Sequence, residues 1–261
     1  MKTALLISTY NWPEALELVL KSVAAQSQLP DELLIADDGS TQPTTDLINA
    51  FKEKSSIPVI HVWHEDDGFR RSAILNKAVA RSSADYIVQT DGDCIIHPDF
   101  IKDHARLAQK KTYLYGSRVS IKEEAIDRLF ESKNINFSFF SEGIKKRSRT
   151  LRFPLLSALY RPKNELSRKL RGCNVSFWRD DFIKVNGYNE AMTGWGREDS
   201  ELIIRMMNTG VSGKRIRYSG IVYHIWHPTT SKSNLNTNDA IQQRAIDEQL
   251  TRCEDGVDKY L

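Results

Sequence analysis

Asp91-Gly92-Asp93 is the tripeptide in this chain whose composition points most directly to chemistry. Two carboxylates flanking a glycine, at the end of an apolar run, can offer one oxygen to a hard divalent cation and another to a sugar hydroxyl or a water. The glycine permits the turn and leaves room for a ligand. A polar strand-to-turn cap is the plain alternative. Asp37-Asp38-Gly39-Ser40-Thr41 puts acids at a second strand end, where a carboxylate can accept a hydrogen bond from a base N–H or a ribose hydroxyl. Its alternative is a solvated turn with Ser40 or Thr41 capping a helix. Trp195-Gly196-Arg197-Glu198-Asp199 sets an aromatic ring beside glycine, a surface suited to stacking on the apolar face of a sugar. The two acids that follow include a candidate general base toward an acceptor hydroxyl, although a helix N-terminus favours acids on electrostatic grounds alone. His224 and His227, in Tyr223-His224-Ile225-Trp226-His227-Pro228, can complete a metal site begun by an acid elsewhere, or simply pack at the surface.

These residues need elements to hold them. Residues 3–8 read as a buried strand, and Pro13 opens a helix whose apolar positions (Ala15, Leu16, Val19, Leu20, Val23, Ala24) share one face. Further strands are predicted over 33–36, 59–63 and 86–89, with helices over 46–54 and 72–81. Strand–helix alternation predicts an α/β fold with a mostly parallel, Rossmann-like sheet flanked by helices. Ligands of such sheets bind beyond the carboxyl ends of the strands. Ser8-Thr9-Tyr10-Asn11, Asp37-Asp38 and Asp91-Gly92-Asp93 all fall at those ends. The rhythm breaks over 120–171, with a charged helix, then Phe137, Phe139 and Phe140, then a basic stretch. It resumes with a strand over 172–178, a helix over 198–209, and strands over 211–217 and 221–224. A polar tail from Ser231 leads to a helix predicted over 239–253. No internal repeat and no linker separates two domains.

The composition of the 261 residues, 40% apolar and 27% charged, is that of a globular chain able to bury a sizeable core. Cys94, Cys173 and Cys253 are odd in number and far apart, which excludes a disulfide framework and a cysteine metal knuckle and fits a reduced, cytoplasmic compartment. No window approaches the ~18 apolar residues of a membrane span. The run Ala4-Leu5-Leu6-Ile7 is too short for a secretory leader. Any membrane contact is therefore expected to be peripheral. Residues 145–171 hold ten Lys/Arg against the single acid Glu165, a net of +9, which against +3 for the whole chain leaves −6 elsewhere. Mixed with Leu151, Phe153, Leu155, Leu156, Leu159, Tyr160 and Leu170, that charge suits contact with an anionic membrane; a solvated acceptor loop is the alternative. Nucleic acid is not expected, because the basic and aromatic residues match no recognised module. Dinucleotide and P-loop glycine signatures, H-E-x-x-H and G-x-S-x-G are all absent.

Together the motifs resemble an inverting family 2 glycosyltransferase of the GT-A fold, with a C-terminal region similar to the β-1,4-galactosyltransferase type. The resemblance covers roughly residues 3–118 and 171–228. Its N-terminal part is carried by Ser8-Thr9-Tyr10-Asn11, Asp37-Asp38-Gly39-Ser40, Gly68-Phe69-Arg70-Arg71 with Asn76, and Asp91-Gly92-Asp93. Its C-terminal part is carried by Gly172-Cys173-Asn174, Gly187-Tyr188-Asn189-Glu190 and Trp195-Gly196-Arg197-Glu198-Asp199. It implies one globular domain: 1–118 as the nucleotide-sugar-binding half, 119–171 as a variable basic and aromatic insertion, 172–228 as the acceptor and catalytic half, and 229–261 as a tail with a helix.

For the site, the resemblance implies that Ser8 and Tyr10 line a uridine pocket, Asp38 meets the uracil edge, and Arg70 or Arg71 approaches the base or diphosphate. Asp91 would sit near the ribose and a metal-bound water, and Asp93 would ligate Mn²⁺ or Mg²⁺ with His224 or His227. Trp195 and Gly196 would form the acceptor wall, Asp199 would be the catalytic base, and Glu198 would bind donor or acceptor hydroxyls. The implied reaction moves a hexose or N-acetylhexosamine from a UDP-sugar to a glycan or lipid-linked acceptor in cell-surface polysaccharide or lipopolysaccharide synthesis. A degenerate binder of nucleotide sugar or glycan is the alternative, against which the intact acids stand. A sugar-1-phosphate nucleotidyltransferase would need a Gly-rich, Arg-containing N-terminal loop that this chain lacks.

Overall fold

In the computed structural model, which describes residues 1–228 and 231–261, the first third of the chain folds as its hydrophobic pattern dictates. Residues 229–230, where the expected tail segment begins, lie outside the described residues. Strands β1 (Thr3–Thr9), β2 (Glu32–Asp37), β3 (Val59–Trp63) and β4 (Tyr86–Asp91) alternate with helices α1 (Pro13–Ala24), α2 (Gln42–Lys54) and α3 (Arg71–Ala80). Proline in the first turn of α1 and of α2 fits its fixed φ and its missing N–H. That is why α2 starts at Gln42, ahead of the predicted 46.

The chain continues through β5 (Cys94–Ile96), α4 (Phe100–Leu107), β6 (Thr112–Tyr115), β7 (Ser117–Ile121), α5 (Ile126–Ser132), β8 (Ile144–Lys145) and α6 (Pro154–Ala158). It closes with β9 (Asn174–Trp178), α7 (Arg179–Lys184), α8 (Glu198–Asn208), β10 (Ser212–Arg215), β11 (Ile221–His224) and α9 (Leu235–Asp247). The main sheet has seven strands in the order β10-β6-β9-β4-β1-β2-β3. All its pairings are parallel except those of β9, which runs antiparallel to both β4 and β6.

Alternation along β1 divides the core. Ala4 and Leu6 face a cluster that takes in Ile74, Leu75, Ala78 and Val79 of α3 and Leu202, Ile203 and Met206 of α8. Leu5 and Ile7 face the other side, against Leu16, Val19, Leu20 and Val23 of α1, Ile48 of α2 and Phe100 of α4. Side chains of this size each contribute about 1.5–3 kcal/mol when fully buried, so the central strands are the rigid part of the molecule.

Two features were not expected. A second sheet of four strands, β5-β11-β7-β8, packs Ile95, Val119, Ile121, Ile144, Ile221 and Tyr223 against Ala15 and Leu18 of α1. The last helix ends at Asp247, not near 253, because Gln249 turns left-handed with φ 50°. The chain beyond it leaves to bond the loop after α7, with Cys253 N–H donating to the Val185 carbonyl and Val257 N–H to that of Asn186. Among the described residues no helix is long and apolar enough to cross a membrane.

Candidate functional site

A cleft of about 740 Å³ opens beyond the carboxyl ends of β1 and β4 and the N-terminal end of α8. Antiparallel β9 brings a further segment to the same edge, since Asn174 pairs with Thr90 and so sets Gly172 and Cys173 beside Asp91. Ser8, Tyr10, Asp38, Arg71, Asp91, Asp93, Trp195, Gly196, Glu198, Asp199 and His227 all line this space. Gly92 is required by closeness: a Cβ there would lie 2.9 Å from the Thr9 hydroxyl.

Arg71 organises the floor. It opens α3, and its guanidinium pairs with Asp91 on one side and with Glu198, 3.1 Å away, on the other. The Ser8 hydroxyl donates to Asp91 Oδ1 at 2.9 Å. Burial opposes ionisation of Asp91, but Arg71 and the Ser8 hydroxyl outweigh it and hold the carboxyl below its usual range. Glu198 goes the other way: burial raises it, with Arg71 offsetting only part, and its Oε2 is buried without a partner. Arg70, by contrast, turns out of the cleft toward the Glu65 carbonyl and Asp67. Adjacent residues in sequence thus take different jobs, and the start of α3 decides which.

Asp38 is nearly buried, and its carboxylate accepts from His64 Nε2 at 2.7 Å and from the Arg70 backbone N–H at 3.0 Å. Burial is what raises its pKa, with His64 working against the rise. Tyr10 is half-exposed, its hydroxyl donating to Asp66 at 2.8 Å.

The metal-ligand candidates come together through the second sheet. Antiparallel pairing of β11 with β5 sets His224 opposite Cys94 and therefore beside Asp93. His224 Nε2 and His227 Nε2 lie 3.4 and 3.3 Å from Asp93 Oδ2. The three ligand atoms fall within 4.8 Å of one another. His227 Nδ1 is 2.7 Å from the Pro228 carbonyl, which can only accept, so Nδ1 carries a proton and Nε2 is the ring nitrogen that faces the cluster. Burial pushes the His224 pKa down, which keeps a lone pair available. Two imidazoles and a carboxylate at this spacing fit adjacent positions around a small divalent ion with bonds of about 2.1 Å.

Glu198 and Asp199 stand in the first turn of α8, entered through Gly196 (φ 110°) and Arg197 (φ 76°). The left-handed arginine is strained backbone of the kind that clusters at functional sites, and its side chain is tied to Asp239 of α9. Asp199 Oδ2 accepts from the Gly172 N–H and Oδ1 from that of Ser200, both at 2.7 Å. Trp195 is exposed at the mouth, with the Lys232 ammonium 5.7 Å from its ring. Arg118 of β7 also lines the cleft and was not among the residues singled out from sequence. The alternation Ser117-Arg118-Val119-Ser120-Ile121 is the signal that would have found it, because it turns Arg118 away from the buried face.

A family profile described as glycosyl transferase family 2 matches residues 4–165, well over half of the chain. The chain belongs to this family. Its architecture is that of the GT-A fold. A second profile, described as the N-terminal domain of galactosyltransferase, matches residues 155–228, the stretch that supplies the Trp195–Asp199 loop and both histidines. Validoxylamine A glucosyltransferase of Streptomyces hygroscopicus subsp. limoneus is 28% identical over 80% of this chain and 48% of its own length. The chain thus spans about half the length of that relative. Among solved structures, TarS residues 1–349 of S. aureus in complex with UDP superposes with a TM-score of 0.62 at 14% identity, covering 93% of this chain and 64% of that one. The mannosyltransferase PcManGT of Pyrobaculum calidifontis, in complex with GDP-Man and Mn²⁺, has the same TM-score at 16% identity, covering 95% and 64%. At such identities these likenesses show the fold.

Proposed function

We propose that the chain transfers a hexose or N-acetylhexosamine from a UDP-sugar to a glycan or lipid-linked acceptor, with inversion, and that it needs a divalent cation to do so. The observation that carries this reading is the convergence, in one cleft, of the Asp93–His224–His227 cluster with the Arg71-bridged pair Asp91 and Glu198. The neighbours support the ligand classes: UDP in one, a nucleotide sugar with Mn²⁺ in the other.

Asp93, His224 and His227 would hold Mn²⁺ or Mg²⁺, which when bound would neutralise charge developing on the leaving diphosphate. Ser8 and Asp91 form a polar ledge for the ribose, and Tyr10 and Asp38 flank the base. Glu198, with one oxygen held by Arg71 and the other bare, is fitted to accept a hydrogen bond from a sugar hydroxyl. Asp199 is the base in this reading. Its two backbone hydrogen bonds fix the carboxylate and leave two of its roughly four lone-pair sites for an acceptor hydroxyl. Trp195, held between Gly194 and Gly196, offers the stacking wall for the acceptor sugar.

Peripheral contact with an anionic membrane belongs to the same reading. Leu155 and Leu159 of the α6 region are 83% and 75% exposed, with Phe153 and Leu156 half-exposed beside them. Arg147, Arg149, Arg152 and Arg161 flank them in sequence. Such an apolar face within a cationic rim complements a surface of anionic lipid. Leu155→Glu/Leu159→Glu should abolish retention on phosphatidylglycerol vesicles at low salt; unchanged retention would remove the membrane from the proposal.

Thermal unfolding with UDP, GDP and a panel of UDP-sugars, each with Mn²⁺ or chelator, tests the donor site. A ligand at about 100 times its dissociation constant stabilises by roughly 2.7 kcal/mol, or roughly 5–10 °C for a chain of this size. The expected result is a metal-dependent shift with UDP and one favoured sugar. No shift with any nucleotide would overturn the reading and favour a protein that binds glycan without turnover.

A further inference from the structure

Six cations from separate parts of the chain gather beside the cleft, Arg118 and Arg171 in its lining, with no ion-paired carboxylate among the described residues. Arg118 comes from β7, Lys146 and Arg149 from the turn after β8, Arg171 from the loop before β9, and Arg215 and Arg217 from the end of β10 and just beyond. Arg149 donates to the Arg118 carbonyl at 2.8 Å and lies within range of the charges of Arg215, Arg118, Arg171 and Arg217. Lys146 feels Arg149, Arg118 and Arg171 in turn. Burial, and then this mutual repulsion, pushes both groups below their usual values. None of the six is ion-paired to a carboxylate among the described residues. Arg152, in the same basic stretch, pairs with Asp99 and Asp103. Arg215 Nε is buried with no hydrogen-bond partner.

The donor's diphosphate does not account for this cluster. The metal-ligand candidates and Arg71 lie on the floor, and Arg118 is the cation of the cluster placed to sense Asp93. The other cations run outward from it toward α6. There the Phe153 N–H donates to the Tyr218 carbonyl at 3.0 Å, and the Arg217 guanidinium sits 4.7 Å from the Tyr218 ring. The cationic cluster and the exposed leucines of α6 are therefore contiguous.

We propose that this cluster is an anion subsite, which takes a phosphate or diphosphate ester carried by the acceptor while its sugar occupies the cleft. Planar guanidinium groups match pairs of phosphate oxygens, and several of them together favour a group with more than one negative charge over a single carboxylate. The proposal rests on the transferase reading of the neighbouring cleft. Two sources carry this chemistry: the headgroup of a lipid carrier, or a water-soluble phosphorylated glycan.

Inorganic pyrophosphate titrated calorimetrically into chelator-treated full-length protein probes the subsite without the metal. Wild type should bind it, Arg149→Gln/Arg215→Gln should bind it about tenfold or more weakly, and Arg149→Lys/Arg215→Lys should recover most of the loss. Asp93→Asn should keep pyrophosphate binding while losing UDP with Mg²⁺. The proposal is overturned if wild type ignores pyrophosphate, if the glutamine variant binds it equally, or if Asp93→Asn abolishes it. Wild type that binds pyrophosphate but never UDP with Mg²⁺ would sink the donor reading and leave the subsite standing. Flotation with phosphatidylcholine vesicles, with and without phosphatidylglycerol, separates the sources. Retention that needs both the anionic lipid and Arg149 with Arg215 assigns the phosphate to a lipid, and pyrophosphate binding without retention assigns it to a soluble ester.

Discussion

The floor of the cleft and its rim treat charge in opposite ways. On the floor Arg71 sits between Asp91 and Glu198, with Ser8 completing the set. At the rim Arg118, Lys146, Arg149, Arg171, Arg215 and Arg217 face one another with no carboxylate among them. The floor is finished by the chain itself, and removing one of its members leaves another stranded. The rim is finished only by something the chain does not carry. Its cations contribute little to the fold, so they can be altered with little structural consequence. Substitutions that read fold and function separately therefore test the contrast.

The largest effect belongs to the floor's reactive edge. If Asp199 takes the acceptor proton, Asp199→Asn should lower turnover by about 10²–10⁴-fold. The midpoint for UDP with metal should barely move, because the amide oxygen can still accept from Gly172 or Ser200. Steady-state kinetics beside a UDP titration check this, and near-normal turnover would pass the role of base to another group. Arg71→Met comes next. It strands two largely buried carboxylates, and breaking such a network costs about 3–5 kcal/mol when fully buried. Since Asp91 keeps partial exposure, the lower end is expected in urea unfolding.

Much of this floor was legible from sequence, and the reason is local. The apolar runs that became β1, β2 and β4 are buried on both faces, and the polar residues ending them fall on one edge by topology alone. Asp38, Asp91 and Asp93 were readable for that reason, whereas Glu198 and Asp199 were read from the Trp195–Asp199 motif at the start of a predicted helix. The second sheet was not: β5 has three residues and β8 two, too short for any period to register. With it went the reason both His224 and His227 face Asp93, which lies in a strand pairing across more than a hundred residues of chain. The rim was visible as composition only. Ten cations in a row of residues say nothing of Arg118, Arg215 and Arg217, which join them from distant strands.

Beneath the edge lies a third kind of site, buried and neutral. His104 Nε2 donates to Asn174 Oδ1, its Nδ1 accepts from the Ser176 hydroxyl, and Ser176 in turn accepts from Tyr86. Burial lowers the His104 pKa to about 4, against 6.5 for the free side chain. Between those values the unfolded chain binds the extra proton and the folded one does not. Stability is therefore fully present above about pH 6.5 and drains away as the pH falls toward 4, by roughly 3 kcal/mol. Urea unfolding of wild type and His104→Asn at neutral pH and near pH 4.5 isolates this contribution. The variant should show a shallower decline, whatever its own cost at neutral pH, and parallel declines would place the acid sensitivity elsewhere.

The smallest effect has the most informative sign. Arg149→Gln removes one of several mutually repelling cations, at the cost of the side chain's hydrogen bond to the Arg118 carbonyl. A bond of that kind contributes about 1 kcal/mol at most when solvent reaches it, and relief of repulsion works against the loss. The net change should lie within about 0.5 kcal/mol of zero, and it should become more favourable as salt is lowered, because the screening length grows from about 8 Å at physiological ionic strength to about 30 Å at 0.01 M. Arg71→Met should show a weaker change of the reverse sign, since dilution strengthens the attraction it destroys but a largely buried pair is screened much less. Opposite salt dependences at two arginines of one cleft would establish that the floor is internally neutralised and the rim is not. Equal ones would mean that Arg149 has an acidic partner in solution, and the rim would lose its claim to an outside anion.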